Sequence, residues 1–181
     1  MRITFFTTLS FAFLGLLTLP ASAGMSQGHS KHDNRAVVAF KTMFGVDDPF
    51  VGATNMIRGV AGDEAPWEIK SAVGSLTASG KLNISVKGLV FKDDPRSPAD
   101  SIGKNDEPTF RALVSCISTT EAAPVNVMTD EFPANEKGNA KIKAQLTLPN
   151  PCVAPVVMIL AGSELKWFAA SGFETEVQGD E

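Results

Sequence analysis

Ala140-Lys141-Ile142-Lys143-Ala144-Gln145-Leu146-Thr147-Leu148 is the stretch that decides the fold. Ala140, Ile142, Ala144, Leu146 and Leu148 fall on one side of an extended chain, with Lys141, Lys143, Gln145 and Thr147 on the other. Successive side chains of a β-strand point to opposite faces, so a period of two predicts a strand with one buried face and one wet face. Antiparallel sheets are built from such strands. Working outward, Leu82-Asn83-Ile84-Ser85-Val86-Lys87 repeats the pattern. Trp67, Ile69 and Val73 share a parity within 67–77, as do Phe110, Ala112, Val114 and Cys116 within the run that begins at 109.

Turn chemistry separates these runs. Ala78-Ser79-Gly80-Lys81 reads as a hairpin turn in which Gly80 supplies a positive φ. Pro149-Asn150-Pro151 stops a strand, because proline cannot donate to a ladder. Strands are predicted at 36–44, 55–60, 67–77, 81–91, 109–117, 124–128, 139–148, 153–161 and 166–173. Val153–Ala161 is apolar throughout, but Pro155 and the β-branched Val153, Val156, Val157 and Ile159 favour a strand buried on both sides over a helix. Many short strands without a helical period predict an all-β fold: an antiparallel β-sandwich, immunoglobulin-like or related, forming a single domain over 36–175 with one disulfide.

The first 23 residues read as a signal peptide. Arg2 provides the positive start, Ile3 to Leu19 is uncharged, and Pro20-Ala21-Ser22-Ala23 ends in a small-x-small cleavage pattern. Residues 24–35 form a polar tail and 176–181 an acidic one. The expected product is secreted: extracellular, or periplasmic if the source is a Gram-negative bacterium. Export gives the two cysteines meaning, since an oxidising compartment lets Cys116 and Cys152 pair. Their spacing matches neither a redox nor a zinc motif.

Composition narrows the chemistry further. A net charge of −4 with no basic run argues against nucleic-acid binding. The two histidines, His29 and His32, both lie in the tail, and the chain has no Tyr. The expected folded body therefore holds no imidazole, phenol or free thiol, and no nucleophile or phosphate-loop motif is present. No catalytic residue and no cofactor is expected. What survives is a carboxylate pair for a glycan-directed extracellular hydrolase, drawn from Asp47-Asp48, Asp93-Asp94, Asp106-Glu107 and Asp130-Glu131. Acids in such turns more often form local hydrogen bonds.

The segment from Lys92 to Pro108 stands out, with 17 residues holding three Pro, five acids and three bases. Irregular segments of that length commonly carry function. Its Asp93, Asp94, Asp100 and Asp106 are the best candidates for an oxygen-ligated cation, although their spacing matches no calcium-loop motif, so no metal site is assigned. Asn83-Ile84-Ser85 is a glycosylation sequon on the wet side of its strand. Trp67 and Trp167 are candidates for a lectin-like sugar platform, weighed against an ordinary role in the core. The expectation is a non-catalytic binding or structural module that uses surface loops. Its partner is a protein or glycan, with no nucleic acid and no membrane span.

Overall fold

A computed structural model describes residues 34–172. The expected signal peptide (1–23), His29, His32 and the acidic tail 176–181 lie outside the described residues. Among the described residues eleven strands follow one another: β1 (Ala36–Phe40), β2 (Phe44–Gly45), β3 (Ala61–Gly62), β4 (Trp67–Thr77), β5 (Lys81–Phe91), β6 (Thr109–Ile117), β7 (Val125–Met128), β8 (Phe132–Pro133), β9 (Ala140–Gln145), β10 (Val153–Ala161) and β11 (Lys166–Ala170). They form two sheets packed face to face, in the orders β1-β4-β5-β9 and β2-β11-β10-β6-β7, with β3 added beside β11 and β8 beside β6. The long pairings are antiparallel, and the β-sandwich predicted from the period of two is the observed fold. No helix among the described residues is long and apolar enough to cross a membrane.

The first sheet follows the alternation rule. On β9, Ala140 and Ile142 are buried while Lys141 and Lys143 are exposed. Opposite them on β5, Leu82, Ile84 and Val86 are buried, and Asn83 and Ser85 stand on the outer face. The β4–β5 hairpin turns at Gly80, whose φ is +85° and whose position would drive any Cβ into the Leu146 carbonyl oxygen.

One predicted face is corrected. Val73 was expected beside Trp67 and Ile69, yet it is 55% exposed, while Ala72 and Leu76 are buried. Both strands of the hairpin change face at the same place. Trp67 and Ile69 pair with Phe91 and Leu89, whereas Ala72, Gly74 and Leu76 pair with Val86, Ile84 and Leu82. The change falls at Gly88, where φ is +65° and an added Cβ would sit 2.8 Å from the Lys70 Cβ. There the backbone leaves the regular pleat, and the Gly88 N–H donates to Asn139 Oδ1 at 3.1 Å.

The second sheet is buried on both sides. Val157 to Ala161 of β10 and Trp167 to Ala170 of β11 are buried without alternation. One side meets the first sheet. There Trp67 stacks on Phe168 (centroids 4.0 Å apart, planes at 15°) and packs on Phe91 at 4.2 Å, and Phe110 meets Phe168 edge-on at 6.0 Å. The segment 46–62 lies along the other side. Phe50 packs on Trp167, Arg58 Nη2 donates to the Ala154 carbonyl at 3.1 Å, and Asn126 Nδ2 donates to the Arg58 carbonyl. This corrects the strand predicted at 55–60. Only an isolated bridge joins Ile57 to Val60, and the segment's apolar residues cover a sheet instead of extending one.

Candidate functional site

The two ends of the sandwich are finished differently, and the candidate site is the end where β4 and β11 begin and β5 ends. The Lys92–Pro108 segment folds back here. Phe91 N–H donates to the Lys104 carbonyl and Gly103 N–H to the Phe91 carbonyl, both at 3.0 Å. Asn105 is buried, and its side chain satisfies three backbone groups. Nδ2 donates to the carbonyls of Glu107 (2.7 Å) and Asn135 (3.0 Å), and Oδ1 accepts from the Glu107 N–H at 3.1 Å. Backbone groups that would otherwise be stranded are paired, so the segment is tied to its neighbours despite lacking regular structure.

Arg96 is the hub of the charged side chains. Nη1 and Nη2 donate to the two oxygens of Asp48 at 2.8 and 3.1 Å, and Nε and Nη2 donate to those of Asp94 at 2.8 and 2.9 Å. A guanidinium offers five donors in a planar fork, which suits two carboxylates at once. The Arg96 bonds hold the Asp94 carboxyl down at about 2. Lys92 pairs with Asp47. Burial opposes ionisation of Asp47, but the Lys92 and Asp48 hydrogen bonds and the Lys92 and Arg96 charges hold it below the ordinary carboxylate range. The acids Asp47-Asp48 and Asp93-Asp94 thus come from two loops, and three of the four are tied by the basic residues of the long segment.

Two carboxyls at this end are shifted the other way. Burial raises Asp63, against hydrogen bonds from the Trp67 indole (2.8 Å) and the Ala65 N–H (3.3 Å). Burial also raises Glu107, against a bond from Ser163 Oγ at 3.1 Å, with the charges of Asp106, Glu164 and Asp63 adding to it. Neither lines the surface depressions beside Lys87, Leu148, Lys143, Phe40 or Asp47. Asp63 is engaged in closing the turn into β4.

The predicted residues distribute as follows. Cys116 and Cys152 are bonded, with Cα atoms 4.9 Å apart, and tie the end of β6 to the start of β10 at the opposite end of the sandwich. Asp93, Asp100 and Asp106 are exposed and are not drawn together with Asp94, and among the described residues no three His, Cys, Asp or Glu side chains form a cation cage. The cation these loops hold is Arg96. Trp67 and Trp167 are 2% and 0% exposed, so neither offers a ring face to a sugar, because both aromatics fill the core. Asn83 is half-buried on the outer face of the first sheet, the side expected for the sequon. The residues missed in the sequence are Arg96 and Asn105. The mixture of bases with acids in a proline-rich segment was the available signal for the first; nothing local marked the second.

Comparison with family models, with curated proteins and with solved structures finds no match for this chain.

Proposed function

We propose that the chain is an exported, non-catalytic binding module that meets a polar protein or glycan with the loops around Arg96. The observation that supports this is preorganisation. Asn105 and Arg96 fix the backbone of 92–108 and of 47–49, while Asp93, Asp100, Lys104 and Asp106 project their side chains into solvent. A rigid scaffold displaying polar groups loses little conformational entropy on binding. The leader-like residues 1–23 and the disulfide support export. The test is capture of partners by the immobilised protein from extracellular extracts and on insoluble polysaccharides. Retention that is lost in Asp93→Lys/Asp100→Lys supports the reading, and retention unchanged by that variant contradicts it.

A carboxylate-based glycan hydrolase is the second reading, favoured by one observation: Asp63 and Glu107, both raised by burial, lie at the same end, where the Asp63 charge adds to the rise at Glu107. Such enzymes need one protonated and one ionised carboxyl flanking the substrate. Turnover of any oligosaccharide that disappears in Glu107→Gln would favour this reading over the first.

A further inference from the structure

Two groups stand out among the basic residues of the described chain, with Arg35, Lys41, Arg58 and Lys137 outside both. Lys92, Arg96, Lys104, Arg111 and Lys166 are each paired with an acid. Lys70, Lys81, Lys87, Lys141 and Lys143 are exposed on the outer face of the first sheet, and none is in an ion pair among the described residues. The register places them together: Lys141 lies across from Ser85, Lys143 from Asn83, Lys87 from Ser71 and Lys81 from Gln145. Adjacent strands are about 4.8 Å apart and alternate residues of one strand about 6.8 Å apart, so Lys141 and Lys143 repeat a charge at that interval along β9. No Asp or Glu occurs in β5, in β9, or in β4 beyond Glu68. In a chain of net charge −4 this is a segregated positive face.

The face also has relief. Two adjoining depressions of about 400 Å³ each share Ser85 and Lys141, one reaching Lys87 and Asn139 and the other Asn83, Ser75 and Lys143. Ammonium groups are thus interleaved with hydroxyls and amides along these depressions.

We infer that this face binds an acidic polysaccharide, with Lys87, Lys141 and Lys143 meeting its anionic groups and Ser75, Asn83 and Ser85 its hydroxyls. The chemistry disfavours other polyanions. No aromatic side chain stands on these strands' outer positions to stack a base, and no arginine fork is present for a phosphate. Val73 is the one large exposed apolar group of β4, β5 and β9, which is too little to enter a bilayer. The surface is separate from the Arg96 loops, so it stands or falls independently of them.

The experiment measures binding of polygalacturonate and heparin to protein made without glycosylation at Asn83, with dextran, duplex DNA and anionic phosphatidylserine vesicles as comparators. The inference predicts binding of the acidic polysaccharides that weakens as salt rises, exceeds that of DNA and vesicles, and is absent for dextran. Lys141→Gln/Lys143→Gln, which alters only wet-face positions, should lower the affinity on the order of tenfold, since each lysine near an anionic surface contributes about one charge-pair's worth of attraction. Circular dichroism of the double variant checks that the sheet is intact, and Lys81→Gln/Lys87→Gln serves as an independent second variant. Absence of binding, an affinity unchanged from the native chain in both lysine variants, or tighter binding of DNA or vesicles would overturn the inference.

Discussion

The sandwich is closed at one end by a covalent bond and at the other by ion pairs and hydrogen bonds. At the first end Cys116–Cys152 joins adjacent strands 36 residues apart in sequence, among Val37, Leu148, Pro149 and Pro151. At the second, Arg96, Lys92 and Asn105 join loops that share no ladder. A disulfide acts chiefly on the unfolded chain and is indifferent to salt and acid, whereas paired carboxylates act on the folded chain and respond to both. The end with the covalent tie exposes Val37, Ile117 and Val153; the end with polar ties exposes Ile102 and Leu165 beside its charged groups. Two ends of one fold therefore answer to different solution conditions, and the end that displays charge is the tunable one.

The largest expected effect tests whether the polar end rests on an apolar anchor. Trp67 stacks on Phe168 and Phe91 beneath the loops and donates to Asp63. Trp67→Ala should cost about 3–5 kcal/mol in urea denaturation, the usual range for truncating a buried large aromatic. A loss no larger than that of a surface substitution would mean the loops hold themselves. Next in size is the covalent tie. Cys116→Ala/Cys152→Ala should cost about 4 kcal/mol by loop-closure entropy, with the same deficit at low and high salt. A deficit that changes with salt would blur the distinction between the ends.

Asn105→Ala should cost about 1–3 kcal/mol, because the Glu107 and Asn135 carbonyls lose the donor that the buried Asn105 amide supplies. The accompanying loss of amide protection should be confined to 92–108 and its neighbour 135–138. The smallest effect belongs to Asp63. Its folded carboxyl titrates above its unfolded value, so the folded state holds the proton more tightly. That contribution is fully present below the unfolded value and is lost as pH rises through the folded one. Against Asp63→Asn, the Tm advantage of the native chain should therefore shrink as pH rises above about 4. An advantage that grows over that window would reverse the assignment.

How much of this was legible in the sequence varied with the range of the interactions. The long strands were, because alternation is a local signal: 67–77, 81–91, 109–117 and 153–161 match the observed bounds. The switch of face at Gly88 was not, since it requires a departure from the pleat on two strands at once, and Val73 was placed on the wrong side for that reason. The strand predicted at 55–60 failed because apolar residues that cover a sheet resemble apolar residues that join one. β3 and β8 have two residues each, too few to show a period. The disulfide followed from the cysteine count and the expectation of export. The loop end did not follow, because Arg96 and Asp48 lie 48 residues apart and only the fold brings them together. The acids of both loops were visible as turn formers; their shared guanidinium was not.

The measurement that tests the two-ended account most directly is native-state amide exchange, corrected for intrinsic rates, on 92–108 and on 113–117 with 153–158, with and without reductant and at falling pH. Asp94 titrates at about 2, below its ordinary 3.8, so its stabilisation is present above the ordinary value and is lost as pH falls through the lower one. Reductant should loosen 113–117 and 153–158 while leaving 92–108 protected, and acid should do the opposite. If either treatment loosened both ends together, the division between them would be contradicted.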